Sequence, residues 1–551
     1  MFTQILVPVG GSLTLSALLA AVPLLLLIVL LGVFKTPARI AAPASLIAAL
    51  AVGVVAFRLP ASIAFSGAAE GIVYGIFPIL WVAINAIWLH KVTELRGHSA
   101  ALRTAFTRVS DDRRVQAILV AFCFGAALEG LAGGGAPVAI CAVILMALGL
   151  SPIKAAAACL IADTSPVAFG ALGQPIDVLA TQTGLPVPDL AVMIGRQTPV
   201  LALFIPLVLV LVVDGKTGLK QRWGVALAAG VSFAAVQCAA SVFLTPALVD
   251  TVAAVVSGVV TVLVARAGRV PATAVRRRTV VAAGGGASGG SDFAAPPADE
   301  STVDEKRPPV FAALAPYLLI VAVVVLANLP GVSDLIASLT TKVHWPGVDV
   351  GNSDGEPLSI AKISFAWVGA PGSLVLIAGL LSLPVLGVGL GRATRVWLAN
   401  LWQLRWAIFT VCCVIALSYV MNLSGQTTTL GVWLAGAGAA FPLVSPVIGW
   451  IGTVLTGSDT SSNTLFGLLQ YTTAHHAGLS DVLLTSANSS GGVVGKAVSL
   501  QNLAIAAVAV GLGGKEGVLF RRTIGWTVVM VVVLSVLVYL QSTPVLGWLV
   551  P

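Results

Sequence analysis

Two polar clusters interrupt an otherwise apolar chain. One is Leu455-Thr456-Gly457-Ser458-Asp459-Thr460-Ser461-Ser462-Asn463. The other, Ala487-Asn488-Ser489-Ser490-Gly491-Gly492, is followed by Lys496. Their flanks are long apolar runs, which puts their hydroxyls, amides and backbone at membrane depth. Polar, non-helical backbone persists there only where it is buried in protein or lines a watery cavity. Transporters use such broken segments to hold a solute near the bilayer midplane. Ser458, Thr460, Ser461, Ser462, Asn463, Asn488, Ser489 and Ser490 are therefore candidate solute contacts. Thr164 and Ser165, in a similar stretch earlier in the chain, join them.

Charged groups at the same depth add a second kind of chemistry. Glu129 lies in Gly125-Ala126-Ala127-Leu128-Glu129-Gly130 and precedes Gly133-Gly134-Gly135. An ionised side chain at the centre of a membrane helix costs about 2.5–3.5 kcal/mol or more, so this carboxyl suits a carrier that exchanges a proton. An interface position would make it merely structural. The three glycines allow close backbone approach and expose N–H groups to an anion, or serve helix packing alone. Asp163 and Asp459 are the other candidate proton carriers, although Asp459 could simply cap a half-helix beginning near Thr460. Helix N-termini carry partial positive charge and suit a solute carboxylate. Lys496 is a natural counter-charge for an anion, or a snorkelling side chain.

Other chemistries are poorly served. Residues 490–497 fall short of a phosphate-binding loop, because Ser490 and Ala497 stand where Gly and Ser or Thr are required. The adjacent His475 and His476 cannot share a helix face. The six cysteines lie in apolar segments without metal-ligand spacing, so neither a metal site nor a cofactor is expected. Arg405 reads as a loop-end charge, and Trp402, Trp406 and Trp450 as interface anchors.

The elements that position these residues must be membrane helices. Of 551 residues, 58% are hydrophobic and only 9% charged, against about 25% charged in soluble domains. The net charge of +8 is scattered over short loops rather than gathered on one face, which argues against nucleic acid. Met1–Leu13 lacks the basic residues of a cleaved leader, so the first apolar run is expected to stay as a span.

Runs long enough to cross a bilayer include 13–33, 41–57 and 63–89, the last containing Glu70 and Asn85. Lys91 to Arg114, with Arg96, Arg103, Arg108 and Arg113, forms a basic loop that the positive-inside rule puts in the cytoplasm. Both termini then fall outside. Residues 115–183, rich in Gly and Pro, are expected to hold a span, a re-entrant hairpin or broken helix, and another span. Residues 214–222 read as an inner loop. Residues 266–309, with Arg276-Arg277-Arg278, Gly284-Gly285-Gly286 and Pro296-Pro297, read as a flexible cytoplasmic linker. The linker separates a first membrane half, 1–265, from a second, 310–551. The expected fold is all-α, with about 12–14 membrane segments.

The halves echo each other. Ala162-Asp163-Thr164-Ser165 through Gly170 parallels Ala487-Asn488-Ser489-Ser490 through Gly495, and Leu128-Glu129-Gly130 parallels Leu455-Thr456-Gly457. Loop charges orient the two oppositely, the signature of inverted repeats with broken helices.

At these motifs the chain resembles the bacterial lactate permease family. The resemblance rests on residues 128–140, on 166–173, on 455–463, and on Ala487-Asn488 through Gly495-Lys496 to Lys515-Glu516. The chain departs from the family pattern at Gly134, Asp163, Gln174 and Leu500. The resemblance implies a proton-coupled carrier of lactate, glycolate and similar 2-hydroxy-monocarboxylates in the bacterial inner membrane. The residues alone reach only an anion or polar-solute carrier, with sodium-coupled dicarboxylate transport as the alternative.

Overall fold

A computed structural model describes residues 1–34, 36–95, 110, 112–267, 310–351, 358 and 362–551. Most of the expected linker, together with Arg96, Arg103 and Arg108, lies outside the described residues.

The chain is an all-α polytopic membrane protein. Among the described residues, ten helices are long and apolar enough to cross a membrane. Pro137–Ala147, Pro152–Ala162 and Pro371–Leu386 are apolar but shorter. With the bent pair Leu314–Ala327 and Val332–Ser338 taken as one span, the long apolar helices among the described residues number eleven. At 1.5 Å per residue a helix of 11 to 16 residues stops short of a hydrocarbon core about 30 Å thick. Span boundaries shift little: Ala38–Ala56 and Ala61–Glu94 replace 41–57 and 63–89. The expected loop at 214–222 falls where the helical stretch Thr198–Phe243 is broken at Gly215 and Arg222, and the two arms fold back on each other so that Gly230 lies against the Leu203 carbonyl. Among the described residues, strand structure is confined to Phe2–Thr3 paired with Val350–Gly351, and Thr340–His344 paired antiparallel with Lys362–Ala366.

Two successions of broken helices matter for the site. In the first, Gly125–Ala132 ends at three glycines with φ of 63°, 73° and 80°. This left-handed backbone favours Gly. Ala136–Ala147 follows, then Pro152–Ala162, turns at 163–169, and Gly170–Thr183. In the second, Phe441–Thr456 ends at Gly457 (φ 80°). Asp459–Ala477 and Asp481–Gly495 then form a hairpin, followed by a short turn at Lys496–Val498 and Leu500–Ala509.

Here the structure corrects one expectation. Ala487–Gly492 is not a break but the interior of the Asp481–Gly495 helix, and the break comes afterwards, at 496–499. The reason is packing. A Cβ on Gly491 would run into the Pro446 carbonyl, one on Gly449 into the Asn488 carbonyl, and one on Gly495 into the Trp450 carbonyl. Small residues thus let Phe441–Thr456 and Asp481–Gly495 cross backbone to backbone, as in membrane helix pairs generally. Elements from both sides of the linker also interleave. Leu390–Ser424 packs on Ala38–Ala51 and Ala61–Tyr74, and Gly170–Thr183 packs on Asp459–Ala477.

Candidate functional site

A cavity of about 690 Å³ opens among these breaks. Its inner wall is the first turn of the Asp459–Ala477 helix. Gly457 lets the chain reverse, and Ser458 caps the new helix, its hydroxyl accepting the Ser461 N–H at 3.4 Å. The cap is therefore Ser458, and Asp459 occupies the first helical position. Facing this turn are Glu129, Gly133, Gly134 and Lys496.

Lys496 is not free. Its Nζ donates to Glu129 Oε1 and lies 3.7 Å from Asp163 Oδ2. Glu129, Asp163 and Lys496 are 2%, 3% and 4% exposed, so the group is shut away from bulk solvent apart from the cavity edge. Asn502 Nδ2 donates to Asp163 Oδ2 at 3.4 Å. Asp459, 2% exposed, accepts the Ser489 hydroxyl at 2.6 Å. Two buried carboxyls thus pair with one ammonium, and Asp459 adds a third buried acid to the cavity wall. Glu129 Oε2, Asp163 Oδ1 and Asp459 Oδ1 have no hydrogen-bond partner among the described residues. Burying charge is costly unless it is paired, so such an excess of acid over base is suited to holding protons.

The expected site residues divide into two sets. Glu129, Gly133, Gly134, Ser458, Asp459, Thr460, Ser461 and Lys496 line the cavity. Gly135, Asp163, Thr164, Ser165, Ser462, Asn463, Asn488, Ser489 and Ser490 stand behind it, bonded to other protein groups or packed. Ser462 donates to the Gly449 carbonyl at 3.0 Å and Asn463 to the Pro175 carbonyl at 3.1 Å. Asn488 Nδ2 donates to Asn463 Oδ1 at 2.9 Å, and the Ser490 hydroxyl to Gln197 Oε1 at 2.6 Å. Thr164 returns its hydroxyl to the Ile161 carbonyl at 2.7 Å, and the Ser165 carbonyl accepts Gln237 Nε2 at 3.3 Å. Gly135 abuts Asn502. The two clusters do meet, at Ser489–Asp459 and Asn488–Asn463.

Sequence reasoning missed Arg39 and Gln501, which also line the cavity, as does Gln174, one of the departures from the family pattern. Arg39 lies over the Trp406 ring at 5.2 Å. Gln174 donates to the Ile79 carbonyl at 2.9 Å. A lone arginine at a helix start carries no signal of its own; only the fold brings it to the cavity rim. Arg405 stays outside the lining and stacks on Trp402 at 4.3 Å. His475 pairs with Asp481 at 3.4 Å at a surface-exposed helix end. Among the described residues no cluster of three or more His, Cys, Asp or Glu could hold a metal.

The family model for L-lactate permease matches residues 16–545. The chain belongs to the L-lactate permease family. It is 38% identical to the L-lactate permease of Bacillus subtilis, with all of both chains aligned. It is also 38% identical to the glycolate permease GlcA of Escherichia coli, over all of this chain and 99% of the relative. The L-lactate permease of Salmonella typhimurium is 36% identical over 98% of each. Among solved structures, the Alcanivorax borkumensis YdaH transporter aligns over 86% of both chains at 14% identity and a TM-score of 0.34, too weak to support any inference. As a member of the L-lactate permease family, the chain is a multi-pass transport protein and not an enzyme.

Proposed function

We propose that this chain is a proton-coupled carrier of lactate, glycolate and similar 2-hydroxy-monocarboxylates in the bacterial inner membrane. The observation that carries this reading is the cavity itself. It joins the N-terminal turn of a half-helix to a buried acid–lysine group in a chain whose relatives are named for lactate and glycolate.

The solute carboxylate docks against the N–H groups and hydroxyls of Ser458, Thr460 and Ser461, where partial positive charge favours an anion. Gly133 and Gly134 shape the opposite wall. Residues 462–463, 488–490 and 164–165 support these contacts from behind. With a solute pKa near 4, lactate is anionic at neutral pH, and a co-transported proton cancels its charge. Glu129 bears that proton, with Asp163 and Asp459 sharing the load. When Glu129 is protonated, its hold on Lys496 weakens and the ammonium turns to the anion. Proton and solute thereby bind together.

Lys91, Arg113, Lys216, Lys220, Arg392, Arg395, Lys515 and Arg521 orient the chain with these loops inside. Both termini lie outside, the 266–309 linker is cytoplasmic, and the rim at Arg39 faces the cytoplasm. The 1–265 and 310–551 halves are inverted repeats, each contributing one wall of the site.

Reconstituted protein should accumulate labelled L-lactate under an inward proton gradient, with glycolate competing and malate not. Glu129→Gln should abolish gradient-driven uptake while protein still reaches the membrane. Uptake that needs sodium and ignores the proton gradient would overturn the coupling, and preference for malate would overturn the solute class.

A further inference from the structure

We propose that Arg39, held over the Trp406 ring at the cytoplasmic mouth of the cavity, is a first docking subsite for the solute carboxylate, ahead of the Ser458–Ser461 turn. The proposal rests on the solute class and orientation argued above and adds how an anion enters a cavity whose wall is acidic.

Four charged side chains line the cavity: Glu129, Asp459, Lys496 and Arg39. Lys496 is spent on Glu129 and Asp163, and Asp459 adds a further acid. An entering anion therefore finds no free cation at the inner end of the cavity. Arg39 is the one at the mouth. It stands exposed on the first turn of Ala38–Ala51. Among the described residues no carboxylate pairs with it: the cations in ion pairs are Arg114, Arg222, His475, Lys496 and the N-terminal amine.

The ring holds the guanidinium without using it up. Arg39 Cζ lies 5.2 Å from the centre of the Trp406 ring, and Trp406 is itself a half-exposed part of the lining. Attraction to a ring face spends no N–H group. The five donors keep the planar fork that fits a carboxylate through two parallel bonds. Arg405 approaches the same ring at 5.8 Å, but it stacks on Trp402 at 4.3 Å and donates to the Trp402 carbonyl at 2.6 Å. It adds positive potential beside the mouth without lining the cavity. Leu404, Ile408 and Val411 supply apolar wall around the same opening. A cleft with low-dielectric walls and one sign of charge at its entrance concentrates counter-ions there and speeds their entry. Because the cation is exposed, salt screens it.

The test uses full-length protein in everted membrane vesicles, whose medium bathes the cytoplasmic face, and in right-side-out vesicles. Lactate–lactate exchange is measured at equal pH with saturating lactate inside. In everted vesicles at low salt, Arg39→Gln should raise the KM about fivefold with kcat within about twofold, and 0.5 M salt should bring mutant and wild type to within about twofold of each other. Arg39→Lys should stay within about twofold of wild type at low salt, because it keeps the charge. In right-side-out vesicles the KM of all three should agree. An unchanged KM for Arg39→Gln overturns the proposal. So does a rise that persists in high salt, that Arg39→Lys shares in full, or that is confined to right-side-out vesicles. If Arg39→Gln fails to insert, a wild-type KM in everted vesicles that ignores salt overturns it. Failure of the underlying reading looks different: wild-type protein would exchange no lactate from either face.

Discussion

At Thr456–Ser461 the chain leaves helical geometry at Gly457, re-enters it under the Ser458 cap, and turns the new helix start towards a cavity. At Asn488–Gly492, a stretch equally rich in Ser, Asn and Gly, the helix runs on unbroken and every small residue is spent on contact with a neighbour. The same residue types therefore serve two ends. What separates them is position relative to the crossing helix. Where Gly491 meets the Pro446 carbonyl, a lost side chain permits close packing. Where Gly457 has φ 80°, it permits a reversal that leaves N–H groups without helical partners.

The widest test concerns the lysine that follows the second cluster. Lys496→Met strips two buried carboxyls of their cation, and breaking a buried pair costs about 3–5 kcal/mol. The thermal midpoint in detergent should fall accordingly, and Lys496→Met combined with Glu129→Gln should recover part of the loss. A single variant as stable as wild type would mean that the ammonium is free for solute. Next in size, Gly492→Val pushes a side chain into Asp459 Oδ1 and Thr453 Oγ1. Overpacking costs about 1–3 kcal/mol, read as lost yield and a lower midpoint.

The comparison sharpens further in a matched pair. Ser461→Ala should raise the KM for lactate about fivefold, roughly 1 kcal/mol, with little change in midpoint. Ser490→Ala leaves Gln197 Oε1 short of a donor and should destabilise by about 1 kcal/mol with KM unchanged. The reverse outcome would exchange the roles of the clusters.

The smallest effect lies outside the membrane. Asp112 is buried enough to be pushed up, but hydrogen bonds from the Arg114 guanidinium and backbone N–H and from Arg222 outweigh this and hold its carboxyl below the usual range. A depressed folded value stabilises above the unfolded pKa and is lost as pH falls through the folded one. Asp112→Asn keeps the helix cap but not the charge. It should cost about 1 kcal/mol at neutral pH, and the difference should shrink below about pH 4, as followed by urea unfolding.

The sequence by itself determined the membrane class, the helix breaks at Gly133–Gly135 and Gly457, and the presence of charged groups, Glu129, Asp459 and Lys496, at membrane depth. These follow from composition, from glycine's freedom at positive φ, and from the cost of charge in an apolar run, all of which are local. Only the tertiary structure decided that Lys496 is bound by Glu129 and Asp163, residues more than 300 positions away in sequence. The same is true of the divided roles of the two serine clusters and of Arg39 on the rim. Each of these depends on which helices cross and how closely. That is set by the match of small residues on two distant helices, and no single stretch of chain contains it.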